Sequence, residues 1–276
     1  MTVQLSTSYL AGAVYADAPG EDDPAEAYHV ASKLSPATAA HAMRGALRLA
    51  ESEDLRRSAP RAVRRRAQHP AFALPEATRL DLPLCDALSA RRSARTFGDG
   101  ALQLADLAAV LRAGYGLTGA LPVAGSPPQP LRAAPSAGAL YPLELFVAAT
   151  HVDGLQARIH HYDPLAGTVV RLPAPAAAVR GTTPYAKLVS EAAAVLVIAA
   201  VFWRSRFKYG LRAYRFTLLE AGHVAQSILL ACAALGLAAL PLGGFYDRRL
   251  DELLDLDGVD ESSLYAICLG PPGELP

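Results

Sequence analysis

The sequence predicts an α+β sandwich, a sheet flanked by helices, and three observations carry that expectation. Ala193 to Phe202 is a continuous apolar run, the pattern of a strand buried on both faces. Tyr214 to Leu235 is a long apolar helix closed by Gly236 at the position after its C-cap. Shorter strand-like and helix-like segments alternate around these two, which calls for layered packing on one core.

The elements follow in order. Pro24 to Ala50 holds a helix, with Ser35-Pro36 as an N-cap and first-turn pair. Leu55 to His69 carries Arg56, Arg57, Arg61, Arg64, Arg65 and Arg66 and reads as a solvated helix face, with partner docking as the alternative. Residues 1–80 are therefore expected to form a mainly helical accessory segment, and 81–276 the main domain. Ala101 to Arg112 places Leu104, Leu107, Ala108 and Leu111 on one helical face. Gly114 to Gln129, rich in Gly and Pro, is expected to be a loop. Strands are expected at Leu143 to Ala149, Ile159 to Tyr162, Thr168 to Leu172, Leu237 to Leu242 and Leu264 to Leu269, and a helix at Arg248 to Leu254.

Composition narrows the function classes. Of 276 residues, 52% are hydrophobic and 19% charged, which excludes a disordered chain. The formal net charge is zero, so neither nucleic acid nor an anionic membrane is an expected general partner. Cys85, Cys232 and Cys268 are scattered without a CxxC pair, which argues against a metal site or disulfide framework. They are expected to be buried thiols. The N-terminus lacks a signal-peptide pattern, and a cytoplasmic location is expected.

Three segments suggest a bound cofactor. Arg91-Arg92-Ser93-Ala94-Arg95 offers guanidinium forks and a hydroxyl suited to phosphate oxygens. Arg132-Ala-Ala-Pro135-Ser136-Ala-Gly138-Ala-Leu-Tyr-Pro142 is made of small residues between stiffening prolines, and leads into a strand. A planar ring can approach such a backbone closely, and Ser136 can hydrogen-bond its heteroatoms. Pro241-Leu-Gly243-Gly244-Phe245 exposes backbone N–H groups after a strand.

In this order and at this spacing the segments resemble the nitroreductase-like FMN flavoproteins over roughly residues 82–270. The Pro-Ser-Ala-Gly-Ala-Leu-Tyr-Pro run is similar to the branch of SagB-type peptide dehydrogenases and azoline oxidases, as is the upstream Tyr28-His-Val-Ala-Ser-Lys-Leu34. The resemblance implies a mixed central sheet and a homodimer with FMN at the interface, touched by both subunits. Arg91, Arg92, Ser93 and Arg95 would hold its phosphate and ribityl chain. Pro135, Ser136 and Gly138 would flank the isoalloxazine, and Gly243 and Gly244 would approach its N5. The chain closes on Gly-Pro-Pro-Gly-Glu-Leu-Pro, so the arginines of the first segment are expected to hold the phosphate without a basic tail.

Lys208-Tyr209, within Lys-Tyr-Gly-x-Arg-x-Tyr-Arg, looks like the Lys-Tyr pair of the azoline oxidases. Aromatising an azoline needs a base for a carbon-bound proton and an acceptor for hydride. Desolvation among Arg204, Arg206, Arg212 and Arg215 disfavours a charged amine and so suits Lys208 to the first task. Tyr209 would relay a proton or orient the ring. His223 and Gln226 share the long helix, and His223 is expected to be a core histidine. The leading expectation is oxidation of thiazoline or oxazoline rings in a peptide or carrier-bound intermediate, beside a cyclodehydratase and with O2 reoxidising the flavin. The alternatives are an NAD(P)H-dependent nitroreductase or enone reductase, a non-catalytic flavin-binding scaffold, and a decayed paralogue.

Overall fold

The structure is a computed structural model that describes residues 23–36, 44–58, 63–64, 66–123 and 126–273. Its centre is a seven-stranded sheet in the order β1-β6-β5-β4-β7-β9-β8. The strands are β1 (Ala71–Ala73), β4 (Leu143–Ala149), β5 (Arg158–Asp163), β6 (Thr168–Pro175), β7 (Ala194–Val201), β8 (Ala238–Leu242) and β9 (Glu261–Gly270). The expected mixed sheet is antiparallel at each of these pairings, and among the described residues a parallel bridge occurs only where Leu102 meets Val152.

β7 explains the layering. Its side chains alternate between the faces. Ala194, Leu196, Ile198 and Ala200 enter one core, shared with α5 (Leu104–Tyr115) and α8 (Arg212–Ala234). Val195, Val197 and Ala199 enter a second core, against α6 (Ala186–Glu191) and α9 (Asp247–Leu254). A strand buried on both faces has no polar position to spare, hence the unbroken apolar run. α8 is long and apolar enough to cross a bilayer, yet half of that stretch is buried inside the protein. Gly236 follows it at φ +68°, as its sequence position predicts.

Several expectations change. The helix foreseen over 24–50 is broken. α1 (Pro24–Ala31) starts on the Asp23 side chain, which accepts the Ala25 N–H at 2.7 Å, and ends at Ser32. Pro36 is again helical, in keeping with Ser35 as an N-cap, and α2 (Arg44–Glu51) follows residues 37–43, which lie outside the described residues. α3 (Glu53–Ser58) covers only the start of the expected basic helix, and Arg61 and Arg65 also lie outside the described residues.

Arg64 and Arg66 are not a solvated face. Arg64 pairs with Asp255 at 3.1 Å and with Glu261. Arg66, buried, pairs with Asp255 at 3.2 Å and donates to the Leu254 carbonyl. These contacts tie the N-terminal segment to α9 and β9.

The expected loop from Gly114 to Gln129 instead finishes α5 and then forms a two-stranded antiparallel ribbon, β2 (Leu117–Val123) and β3 (Ser126–Arg132). An isolated ribbon has only edge strands, so Pro127, Pro128 and Pro130 need not interrupt a ladder on both sides. Residues 124–125 at its turn lie outside the described residues. Among the cysteines, Cys232 and Cys268 are buried, and burial pushes both thiols up to about 12, whereas Cys85 is exposed on α4 (Leu84–Ala90).

Candidate active site

The segment from Arg204 to Arg215 is a helix rather than a plain connection. α7 (Trp203–Tyr209) stops at Gly210, and α8 begins at Arg212. Lys208 and Tyr209 therefore sit in the last turn of α7, fixed to each other, with Nζ 5.0 Å from the tyrosine ring centre. They meet the Pro135–Tyr141 loop. A Cβ placed on Gly138 would lie 2.5 Å from both the Lys208 Nζ and the Tyr209 Oη. A side chain there would displace the ends of Lys208 and Tyr209, and its φ of +64° favours glycine independently.

The loop itself is strained, since Ala139 (φ 51°) and Tyr141 (φ 49°) are also left-handed. Such residues persist only where surrounding contacts hold them. Those contacts form a buried polar group that the sequence reading missed. Ser136 Oγ accepts the Tyr141 N–H at 2.9 Å and stands near enough to Glu220 to draw its pKa down. The Tyr115 hydroxyl donates to Glu220 at 2.7 Å and accepts the Leu143 N–H at 3.2 Å. The Tyr141 hydroxyl accepts the Arg132 N–H at 3.0 Å. The Arg132 guanidinium lies 4.4 Å and 4.8 Å from the Tyr115 and Tyr141 ring centres.

Glu220 is 3% exposed, and this burial raises its pKa to about 7 against the opposing pull of Ser136, Tyr115 and Arg132. A carboxyl raised from 4.5 to about 7 stabilises the fold most below pH 4.5, and that contribution is lost as the pH rises through 7. Glu220→Gln is thus expected to gain up to about 3 kcal/mol over wild type at pH 8 and almost nothing at pH 4, read by urea denaturation. An equal change at both pH values would contradict the burial account.

The upstream Tyr28-to-Leu34 stretch docks on this same corner. Arg215 donates to Ser32 Oγ at 2.7 Å and to the His29 carbonyl at 2.5 Å, and Arg212 reaches the Ser32 carbonyl at 3.3 Å. Tyr28 stands edge-on to Tyr214 at 5.4 Å. Arg204 instead points into the sheet, to Glu144 at 2.5 Å. His223, expected in the core, is exposed together with Gln226, because the buried phase of α8 runs through Glu220, Ala221, Val224, Ala225 and Ile228.

The other predicted residues lie elsewhere. Arg91, Arg92, Ser93 and Arg95 line one cavity of about 530 Å3, floored by Leu229, Ala233 and Leu237. Arg92 folds back onto the Ser89 and Arg91 carbonyls through Nη1, at 2.7 and 2.8 Å. Three guanidiniums, a hydroxyl and an apolar floor fit a phosphate with its attached chain. Gly243 faces open space, so its backbone is accessible. Gly244 has a structural reason to be glycine as well, since a Cβ there would come within 2.8 Å of the Tyr185 ring, and its carbonyl accepts from Thr183.

The structure thus joins Gly138 to Lys208 and Tyr209, gathers the arginines separately, and sets the two groups toward opposite ends of α8. From Arg212 to Leu229 is 17 residues, about 26 Å of helix.

Comparison with known proteins gives this geometry its context. A family model described as the nitroreductase family matches residues 88–271. A Methanocaldococcus jannaschii protein named as a nitroreductase, MJ1384, is 33% identical over 178 residues, covering 64% of this chain and 86% of its own length. The microcin B17-processing protein McbC of Escherichia coli is 30% identical over 134 residues, 45% of this chain and 48% of McbC. The solved E. coli microcin synthetase McbBCD complex with truncated pro-MccB17 bound contains a chain of the same fold, with a TM-score of 0.57 and 21% identity. That likeness covers 91% of this chain and 92% of the other.

Proposed function

The chain belongs to the nitroreductase family, whose members bind FMN, and we propose that it is an FMN-dependent dehydrogenase that oxidises azoline rings in a peptide or carrier-bound intermediate to azoles. The observation that carries this reading is the convergence of Lys208 Nζ and Tyr209 Oη on Gly138, within the loop expected to flank the flavin ring. A reductase that works by stacking an oxidised substrate on a flavin has no need of an amine and a phenol held at that point. A dehydrogenase that must remove a proton from carbon does.

When bound, FMN supplies the acceptor for the hydride, and dioxygen takes the two electrons in turn. The chain's residues do the rest. Lys208 Nζ takes the proton from the ring carbon. Tyr209 Oη orients the heterocycle or passes the proton on. The Glu220, Tyr115 and Ser136 group keeps the loop in its strained form. Arg91, Arg92, Ser93 and Arg95 would hold the phosphate, and the open backbone at Gly243 would approach the ring.

The placement of these groups along α8 also supports a homodimer. The arginine cavity and the Lys-Tyr cavity are lined at opposite ends of α8, by Leu229 and by Arg212, about 26 Å apart along the helix, and one flavin reaching both groups is more readily served by two chains. A second copy would bring its own Lys208 and Gly138 to the arginine cavity of the first. Leu84 and Leu88 on α4, and Leu218 and Leu219 on α8, are exposed apolar groups that such a pairing would cover. The likeness to a chain of the McbBCD complex supports a cyclodehydratase as a further partner.

The likeness to MJ1384 favours the second reading, a nitroreductase using NAD(P)H. Anaerobic mixing separates the two. A thiazoline-containing peptide is expected to bleach the flavin absorbance while NADPH does so slowly. Rapid bleaching by NADPH, with none by the peptide, would overturn the dehydrogenase reading.

A further inference from the structure

A cavity of about 480 Å3 opens beside the catalytic pair, between the N-terminal segment and α7. Its walls include Leu34, Trp203, Phe207 and Leu211, which are apolar. Its cationic lining is Lys33, Arg44, Arg206 and Arg212, gathered round the Lys208 amine, with no aspartate or glutamate among the described residues. The whole chain balances 26 cationic against 26 acidic residues, so general basicity does not account for four cations together around Lys208.

None of the four has a carboxylate within ion-pair distance among the described residues. Arg206 lies against Trp203, 4.6 Å from its ring centre, and Arg212 is held by the Ser32 carbonyl. Asp260 accepts the Trp203 indole N–H at 2.7 Å but does not line the cavity. Unpaired cations that share a concave apolar surface are a complementary partner for an anionic chain. Helix α2 makes one wall by packing directly on the α7 backbone, where a Cβ on Gly45 would collide with the Phe207 carbonyl.

Building on the dehydrogenase reading, we propose that this groove binds an acidic stretch of the peptide substrate, with aspartate or glutamate side chains close to the ring presented to Lys208 and Tyr209. Apolar neighbours pack on Trp203 and Leu211, and the carboxylates pair with Lys33, Arg44 and Arg206. The N-terminal segment then selects substrates, because it supplies Lys33 and Arg44.

Trp203 is the only tryptophan in the chain and reports on the groove directly. The holoenzyme is titrated with an acetylated, amidated peptide alternating Gly and Asp, and with its Asn counterpart, while Trp203 fluorescence is followed. A saturable change with the Asp peptide alone is expected, weakened by added salt. In the variant Arg44→Gln/Arg206→Gln, with Lys33→Gln as a second independent variant, binding is expected to weaken roughly three- to tenfold. Equal binding of both peptides, no binding, or binding unaffected by these variants would overturn the proposal. So would equal saturation by inorganic phosphate, which marks a general anion site.

A parallel assay uses thiazoline peptides with Asp or Asn beside the ring. The acidic peptide is expected to show the lower KM at similar kcat, and to lose that advantage in the variants. If neither thiazoline peptide is oxidised while the Asp probe still binds Trp203's groove, the reaction reading fails and the groove stands. Oxidation without any acidic preference fails the groove alone.

Discussion

Replacing Lys208 with alanine is expected to lower azoline oxidation by about 10²- to 10⁴-fold, the usual contribution of a positioned general base, while FMN remains bound with an unchanged absorption spectrum. The lysine is well placed for that loss. Its Nζ and the Tyr209 hydroxyl both face Gly138, at the one point of the loop where no side chain stands. Lys208→Arg keeps the charge but supplies no base, so it is expected to be nearly as slow as the alanine variant. Tyr209→Phe keeps the ring that packs beside Phe216 at 5.3 Å and loses only the hydroxyl, for an expected loss of about tenfold. A structural role for Lys208 would show as lost flavin or a lowered melting temperature with kcat little changed in the folded fraction. Single-turnover flavin reduction separates these outcomes, and a Lys208→Ala rate within about fivefold of wild type would remove the base from the mechanism.

How far this site could be seen in the sequence depends on how local each signal is. Lys208-Tyr209 and Gly138 were each legible through their motifs, but 70 residues separate them, and their meeting is a product of β4 and β7 pairing side by side. Strand β7 was legible because burial on both faces leaves an unbroken apolar run. The β2–β3 ribbon was not, because its exposed first strand lacks an apolar alternation and its second is proline-rich, so composition resembled a loop. Arg64 and Arg66 read as solvated because their acceptors, Asp255, Glu261 and the Leu254 carbonyl, lie almost 190 or more residues away. Glu220 was hidden for a related reason. It is one acid in an apolar helix, and its partners come from α5 and the Ser136 loop. His223 was misjudged because the helix phase, which only packing fixes, turns it outward.

The largest effect on stability is expected at Glu144, a carboxylate 3% exposed in the middle layer of the sheet. It accepts from Arg204 at 2.5 Å, from His161 Nε2 at 2.6 Å and from the Arg64 N–H at 2.9 Å. Burial by itself raises its pKa, but Arg204, His161 and the Arg64 N–H outweigh burial and bring it to about 2. A carboxyl lowered from 4.5 to about 2 stabilises the fold fully above pH 4.5 and loses that contribution as the pH falls toward 2. The difference corresponds to about 3 kcal/mol. Glu144→Ala leaves Arg204 buried without its partner and is expected to cost about 3–5 kcal/mol at pH 7. Arg204 lies in the first turn of α7, the helix that ends on Lys208 and Tyr209, so the variant is expected to lose activity at a lower temperature than wild type even where it still folds. Urea denaturation from pH 7 to pH 3 tests the account: the gap between wild type and Glu144→Ala should narrow below pH 4.5. Glu220 responds to pH with the opposite sign, so its glutamine variant separates from wild type at high pH instead. A gap at Glu144 that stays constant with pH would mean that packing, and not the ion pair with Arg204, holds α7 to the sheet.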